Sequence, residues 1–138
     1  MFTNSEALFI SDMEALLVNN VLYGVHTPGL NASNSELTLV ANNFWNYDAS
    51  SVIRVDSDRI DSVDECDWPG CTLAQGNKNV DPRFVNTTGN NFHLRESSPC
   101  IDAGVDPEKW YPGGPFYMDI DGFPRPMGQA WDIGADER

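Results

Sequence analysis

A chain of 138 residues has room for one domain built on one core. Its formal net charge of −13, from 21 acidic against 8 basic side chains, speaks against nucleic-acid phosphates and anionic lipid as partners, because each contact would begin in repulsion instead of counterion release. No apolar stretch is long enough to enter and span a membrane and no Lys/Arg-led apolar leader opens the chain, so an export signal, if there is one, is expected upstream.

Taken in order, the first half carries an internal repeat. Leu16-Leu17-Val18-Asn19-Asn20-Val21-Leu22 recurs 23 positions later as Leu39-Val40-Ala41-Asn42-Asn43-Phe44-Trp45, with the Asn-Asn pairs in register and apolar residues on both sides. That period suits one coil of a parallel β-helix, in which short strands joined by turns stack on the next coil at the sheet spacing. A leucine-rich repeat has a similar period, but its Leu-x-x-Leu-x-Leu framework is not sustained. Asn19, Asn20, Asn42 and Asn43 are therefore expected to be structural, bonding from coil to coil. Residues 7–10 and 16–22 supply strands of a first coil, and residues 24–35, with Pro28 and Gly29, make a turn-rich crossing that still places Leu30 inside. Residues 37–45 form a second coil, and a third begins at Val52-Ile53-Arg54-Val55. Only residues 11–17 have any helical character, opened by Ser11 or Asp12.

After Val55 the repeat breaks down into Asp56, Asp58, Asp61, Asp64, Glu65 and Asp67, offset only by Arg59. Such density reads either as a solvated loop or as a calcium site, since calcium takes six to eight oxygens; the spacing is not that of an EF-hand. Asp56, Asp58 and Asp61, with Asp119 and Asp121 further on, are the candidate metal ligands, and calcium is the one candidate cofactor. Cys66 and Cys71 enclose Asp67-Trp68-Pro69-Gly70, whose Pro-Gly turn can bring the sulfurs within bonding distance, making them the disulfide candidate. Zinc would want two more soft ligands, and His26 and His93 lie far off in sequence. Cys100 is left over and expected to be buried.

Residues 75–91 read as loop around an apolar anchor at residues 80–85, and Phe92-His93-Leu94-Arg95 alternates as a short strand with Phe92 and Leu94 inward. The turn-rich run from Trp110 to Tyr117 is aromatic. Sugar rings stack on exposed aromatic faces, so Trp110, Tyr111, Phe116 and Tyr117 are the candidate ligand platform, with packing over apolar surface as the alternative role. Arg125 is followed by Asp132, Asp136 and Glu137, any of which it can pair with in a clasp that closes the domain.

Three phrases of the second half occur in a fixed order: Val80-Asp81-Pro82-Arg83-Phe84-Val85, then Ser97-Ser98-Pro99-Cys100-Ile101-Asp102-Ala103-Gly104, then Asp119-Ile120-Asp121-Gly122-Phe123-Pro124-Arg125-Pro126 running into Trp131-Asp132-Ile133-Gly134-Ala135-Asp136-Glu137. Together they resemble the C-terminal segment of bacterial right-handed parallel β-helix proteins of the pectate-lyase-like superfamily. Two positions depart from that pattern: Cys100 stands where a small apolar residue is usual, and Asp136 where an aromatic is common. The resemblance, with the repeat, implies an all-β chain: a right-handed single-stranded parallel β-helix of about three coils over residues 1–79, with the acidic, Cys-containing loop at 56–71, and an irregular closing segment of the same domain over residues 80–138. It also implies an extracellular or cell-surface protein.

Polysaccharide lyases on this fold use a basic residue to take a proton next to a uronate carboxylate, and galacturonan hydrolases on it use clustered aspartates. Here Arg54, Arg59, Lys78, Arg83 and Arg95 are scattered. No phosphate-binding Gly-rich loop, nucleophile elbow or paired-His metal motif is present in the sequence. The expected function is thus a non-catalytic module, structural or glycan-contacting, with polysaccharide as the candidate ligand. The alternative is a polysaccharide lyase or glycoside hydrolase acting on acidic polysaccharide, or the C-terminal fragment of one. An open first coil is also expected to pair with another copy, giving a homo-oligomer with Leu8 and Ile10 near the contact.

Overall fold

The computed structural model describes residues 8–24, 29–45, 52–114 and 116–138. Ala7 of the expected first strand, and His26, Pro28 and Pro115, lie outside the described residues. The described chain is essentially all-β, with eleven strands and one short 3-10 turn, Pro107–Lys109. In chain order the strands are β1 (Leu8–Ser11), β2 (Glu14–Val18), β3 (Val21–Tyr23), β4 (Leu30–Ser33), β5 (Glu36–Val40), β6 (Asn43–Trp45), β7 (Ile53–Val55), β8 (Asp58–Ile60), β9 (Cys71–Gln75), β10 (Phe84–Asn86) and β11 (Asn91–Leu94).

Strands β1, β4 and β7 pair in parallel, as do β2, β5 and β9, and β3 and β6. The corners that break each rung into short strands lie at residues with left-handed backbone, a conformation Asn and Asp tolerate better than other side chains. Asp12, Asn34 and Asp56, at φ of 56°, 46° and 52°, form one corner; Asn19 and Ala41, with Gly76 at 68°, form the next. The first corner is laced together by Asn34, which donates its side-chain amide to Asp12 Oδ1 at 2.7 Å and its backbone N–H to Asp56 Oδ1 at 2.9 Å. Residues 11–17 are thus strand, corner and strand, not a helical turn.

The register corrects the 23-residue repeat. Leu8 lies against Leu30, Glu14 against Glu36 and Val21 against Asn43, a step of 22 between the first two rungs, while β4 to β7 steps by 23, with Leu30 against Ile53. A one-residue slip in a strand turns every side chain to the opposite face, and burial decides the matter. With the step at 22, Leu17 stacks inside on Leu39 and Leu22 on Phe44, all buried, while Leu16, 40% exposed, sits outside on Thr38. Ile10, Ala32 and Val55 complete one inner column, and Leu30 and Ile53 another. Each large aliphatic side chain so buried contributes about 1.5–3 kcal/mol.

The Asn-Asn pairs therefore do not stack like on like; they divide their labour. Asn42, wholly buried, accepts from the backbone N–H and side-chain amide of Asn20 at 3.0 and 3.1 Å and donates to Leu17 O and Asn77 Oδ1 at 2.9 and 3.0 Å. Asn77 continues the ladder by donating to Leu39 O at 2.8 Å, and its own backbone N–H is taken by Asp64. Asn19 and Asn43 face the second half of the chain. Asn19 exchanges two hydrogen bonds with the Val105 backbone, at 2.7 and 2.9 Å, and Asn43 does the same with Val80, at 2.9 and 3.1 Å.

The third rung does not end at Val55, and residues 71 and 75, the expected ends of two loops, bound a strand. The chain inserts the antiparallel strand β8 and the acidic loop, then returns as β9 to continue the second stack. Cys66 and Cys71 are joined in a disulfide across the Trp68 turn, and Trp68 is buried in the main core with its indole N–H on Glu65 O. Gly70, at φ +80°, lets the return strand approach closely, because a Cβ there would stand 2.4 Å from Ser35 O.

Contrary to the expectation of one core, a second apolar cluster forms where the closing segment packs on the corner after β5: Val40, Ala41, Leu94, Cys100 and Ile133. Burial pushes the Cys100 thiol pKa up, consistent with a packing role. Strands β10 and β11 make an antiparallel pair, and beyond them the segment is largely irregular. Its closure is polar. Arg125 meets Glu137 at 2.7 Å, donates to the backbone oxygens of Asp132 and Gly134 at 3.1 Å each, and lies 5.2 Å over the Trp131 ring. The clasp partner is thus Glu137. The Asp132 carboxylate instead accepts from the backbone N–H groups of Asp102 and Arg138, at 2.7 and 2.9 Å, and Asp136 accepts from Leu94 N–H at 2.7 Å.

Two measurements test this scheme. Asn42→Ala leaves Leu17 O, Asn20 N–H and the Asn77 side chain short of partners, so urea unfolding should show a loss of about 3 kcal/mol, against about 1 kcal/mol for the exposed Asn20→Ala. Burial, opposed by the Asp102 N–H and helped by the nearby Glu137 charge, raises the Asp132 pKa from 3.8 to about 6. Protonated Asp132 then favours the folded state below its unfolded pKa, and that stability is lost as pH rises through about 6. After allowance for solvent screening, the wild type should gain about 1 kcal/mol relative to Asp132→Asn between pH 7 and pH 5. An unchanged gap between the two would contradict this account.

Candidate functional site

Asn19 and Asn43 hold the closing segment against the strand stacks, and the space left between them is a groove of about 820 Å³. Val18 and Val21 form one wall, Phe84, Phe92 and Leu94 of the β10–β11 pair another, and Tyr111, Phe116 and Trp131 the side given by the closing segment. Its size falls within the range of small-molecule sites, and its lining is mostly apolar, as such sites are.

The aromatics are ordered by edge-to-face contacts, the favoured arrangement for ring quadrupoles. Tyr23 meets Phe84 at 5.8 Å, Phe84 meets Phe92 at 5.5 Å, and Tyr111 meets Phe116 at 6.1 Å and 76°. Of the four aromatics singled out in the sequence, Tyr111 and Phe116 line the groove, and Tyr111 is 62% exposed. The other two are turned elsewhere. Trp110 packs against the second apolar cluster, and Tyr117 donates its hydroxyl to Glu108, which raises the phenol pKa. Phe84, Phe92 and Trp131 also line the groove; in the sequence the alternation at residues 92–95 marks Phe92 only as inward-facing.

Polar groups at the groove are few and mostly occupied. Arg125 is committed to Glu137 and two backbone oxygens, and Asn19 and Asn20 to the bonds described above. Asp136 contributes the one carboxylate in the lining, 4% exposed, with Oδ2 on the Leu94 N–H and 3.5 Å from Arg138 Nε.

The acidic candidates for calcium do not come together among the described residues. Asp56 is the third member of the Asp12–Asn34 corner, and Asp58 and Asp61 are exposed on and after β8. Asp119 accepts through Oδ1 from the N–H groups of Asp121 and Phe123, tightening a turn, while its Oδ2 is buried without a partner. Asp121 alone of the five joins a metal-sized group, with His93 and Asp136, whose ligand atoms lie within 4.8 Å of one another. His93 and Asp136 were not legible as ligands from spacing; the only signals were the outward side of the β11 alternation and a charge where the resembling segment carries an aromatic.

Comparisons with protein-family models, with curated proteins and with solved structures find no match to the chain at a significant level.

Proposed function

We propose that the chain is a non-catalytic right-handed parallel β-helix module of a bacterial surface or secreted protein, whose closing segment forms a groove for a glycan. The β-helix reading is supported by the 22-residue step, the three parallel stacks and the asparagine ladder between rungs. The observation that carries the ligand reading is the aromatic groove, with the exposed Tyr111 ring set edge-on to Phe116. A neutral sugar fits it better than a uronate. The chain carries a net charge of −13 and the groove's one cation, Arg125, is already paired, so an anionic sugar would meet repulsion without a free counter-charge in the lining.

The alternative of a lyase or glycoside hydrolase asks more of the lining than the described residues offer. Acid–base hydrolysis uses two carboxylates across the scissile bond, and a lyase uses a basic group free to take a proton. The groove presents Asp136 alone among carboxylates, held to the Leu94 N–H, and Arg125 in a clasp.

Self-association belongs to the same reading. Strands β1, β2 and β3 each have a paired neighbour on one side only among the described residues, and unpaired strand edges are templates for another chain. Leu8 and Ile10 point into or against the core, so the contact would use the β1 backbone and the exposed Phe9 instead of their side chains.

Two experiments test these proposals. Calorimetric titration with neutral oligosaccharides should show saturable binding, weakened about tenfold or more by Tyr111→Ala at unchanged melting temperature, whereas Trp110→Ala should lower the melting temperature. Absence of binding to neutral sugars, or binding indifferent to Tyr111→Ala, would remove the glycan reading. Light scattering at micromolar concentration should give a dimer or larger, shifted towards monomer by Phe9→Lys. A monomer at all concentrations would contradict the association.

A further inference from the structure

Three stretches remote in sequence converge beside the groove. His93 stands on β11, Asp121 in the turn made by Asp119, and Asp136 near the end of the described chain, with one ligand atom of each within 4.8 Å of the other two. We propose that this cluster binds a divalent transition ion of the zinc class, tying the β10–β11 pair to the closing segment.

The hydrogen bonds around His93 orient its ring as a ligand. The backbone N–H of His93 donates to Asn91 Oδ1 at 3.2 Å, which identifies that atom as the amide oxygen. The same oxygen lies 2.6 Å from His93 Nδ1, and since a carbonyl oxygen only accepts, Nδ1 carries the proton. In the neutral ring the lone pair is then on Nε2, and Nε2 faces Asp121 Oδ2 at 2.9 Å. The contact is filled either by a proton on Nε2 or by a metal ion that both groups ligate. This is also how metal-binding histidines are oriented: one ring nitrogen is fixed by an oxygen so that the other presents its lone pair.

Asp136 supplies a second, differently prepared ligand. Its side chain is 4% exposed, and Oδ2 is fixed by the Leu94 N–H at 2.7 Å with Arg138 Nε 3.5 Å away. A nearly buried carboxylate held in place by a backbone N–H is preorganised to take a cation. His93 and Asp121 are 30% and 46% exposed, which leaves the ion a path from solvent.

The donor set selects among ions. Calcium takes six to eight oxygens and gains little from an imidazole, whereas zinc is held by nitrogen and carboxylate ligands, with three protein ligands and a water completing the shell. Two carboxylates, of which Asp136 also has Arg138 at 3.5 Å, bring negative charge to where a dication neutralises it. The ligands come from β11 and from two parts of the closing segment, so the bound ion fastens the rim of the groove that Asp136 lines.

The test uses the full chain after treatment with EDTA, titrated with zinc chloride and in parallel with calcium chloride. One equivalent of zinc should bind and raise the melting temperature, and calcium at the same concentration should not. His93→Gln and Asp121→Asn, both at solvent-accessible positions, should each weaken zinc binding at least tenfold. One equivalent of cobalt(II) added to the wild type should also broaden the His93 ring resonances, a readout that needs no variant to fold. Absence of a zinc shift, zinc binding that survives both substitutions, a shift given by calcium alone, or His93 resonances untouched by cobalt would each overturn the proposal.

Discussion

The side chain of Asn42 sets what the rest of the structure can do. It is wholly buried, and its donors and acceptors are met by the rungs on either side: Asn20 and Leu17 O before it, Asn77 after it. A buried amide left unpaired is costly, so only a register that meets all of these bonds at once is stable. Apolar stacking alone is less selective, because Leu, Val and Ile are interchangeable across many of these positions. The amide thus fixes the alignment, and the hydrophobic columns then supply most of the favourable energy.

A fixed alignment explains why the long insertion in the third rung is tolerated. Between Asp56 and Gly76 the chain leaves the stack, makes β8 and the disulfide-closed turn, and returns on β9 with Asn77 in place. The entropy of a longer loop grows slowly with its length, while the ladder bonds at the point of return are restored in full. Asp64 even uses the insertion to bind the Asn77 backbone N–H. The acidic run that suggests a cation site in sequence is, at Asp56 and Asp64, an arrangement of hydrogen-bond acceptors at corners.

What was legible in the sequence follows from how local each signal is. The paired cysteines are five residues apart and joined in a disulfide, Asn20 and Asn42 bond to one another between strands while Asn19 and Asn43 hold the second half of the chain, and the all-β character is written in short apolar runs broken by Asn, Asp and Gly. The Asn-Asn pairs align at 23, one more than the observed step, because the molecule aligns buried side chains instead: Leu17 on Leu39 and Leu22 on Phe44. β9 was hidden because its partner strand lies across the insertion. The groove and the His93–Asp121–Asp136 group are assembled from distant stretches by irregular backbone, and neither periodicity nor spacing encodes such convergence.

The closing segment differs from the stacks in what holds it. It has an apolar footing around Cys100 and Ile133, but its path is set largely by charged groups and single amides: Asn19 and Asn43 on backbone, Arg125 on Glu137, Asp132 and Asp136 on N–H groups. Buried carboxylates in a chain of net charge −13 carry a desolvation cost that few nearby cations offset, so this part has a smaller margin than the ladder-locked rungs. Regions of smaller margin open first, as units. One side of the aromatic groove is made by this segment and another by the strand stack, so the groove exists only while the segment is docked. Whatever fills the groove or neutralises its rim therefore stabilises the docked state by mass action, and ligand binding and closure of the domain become one equilibrium.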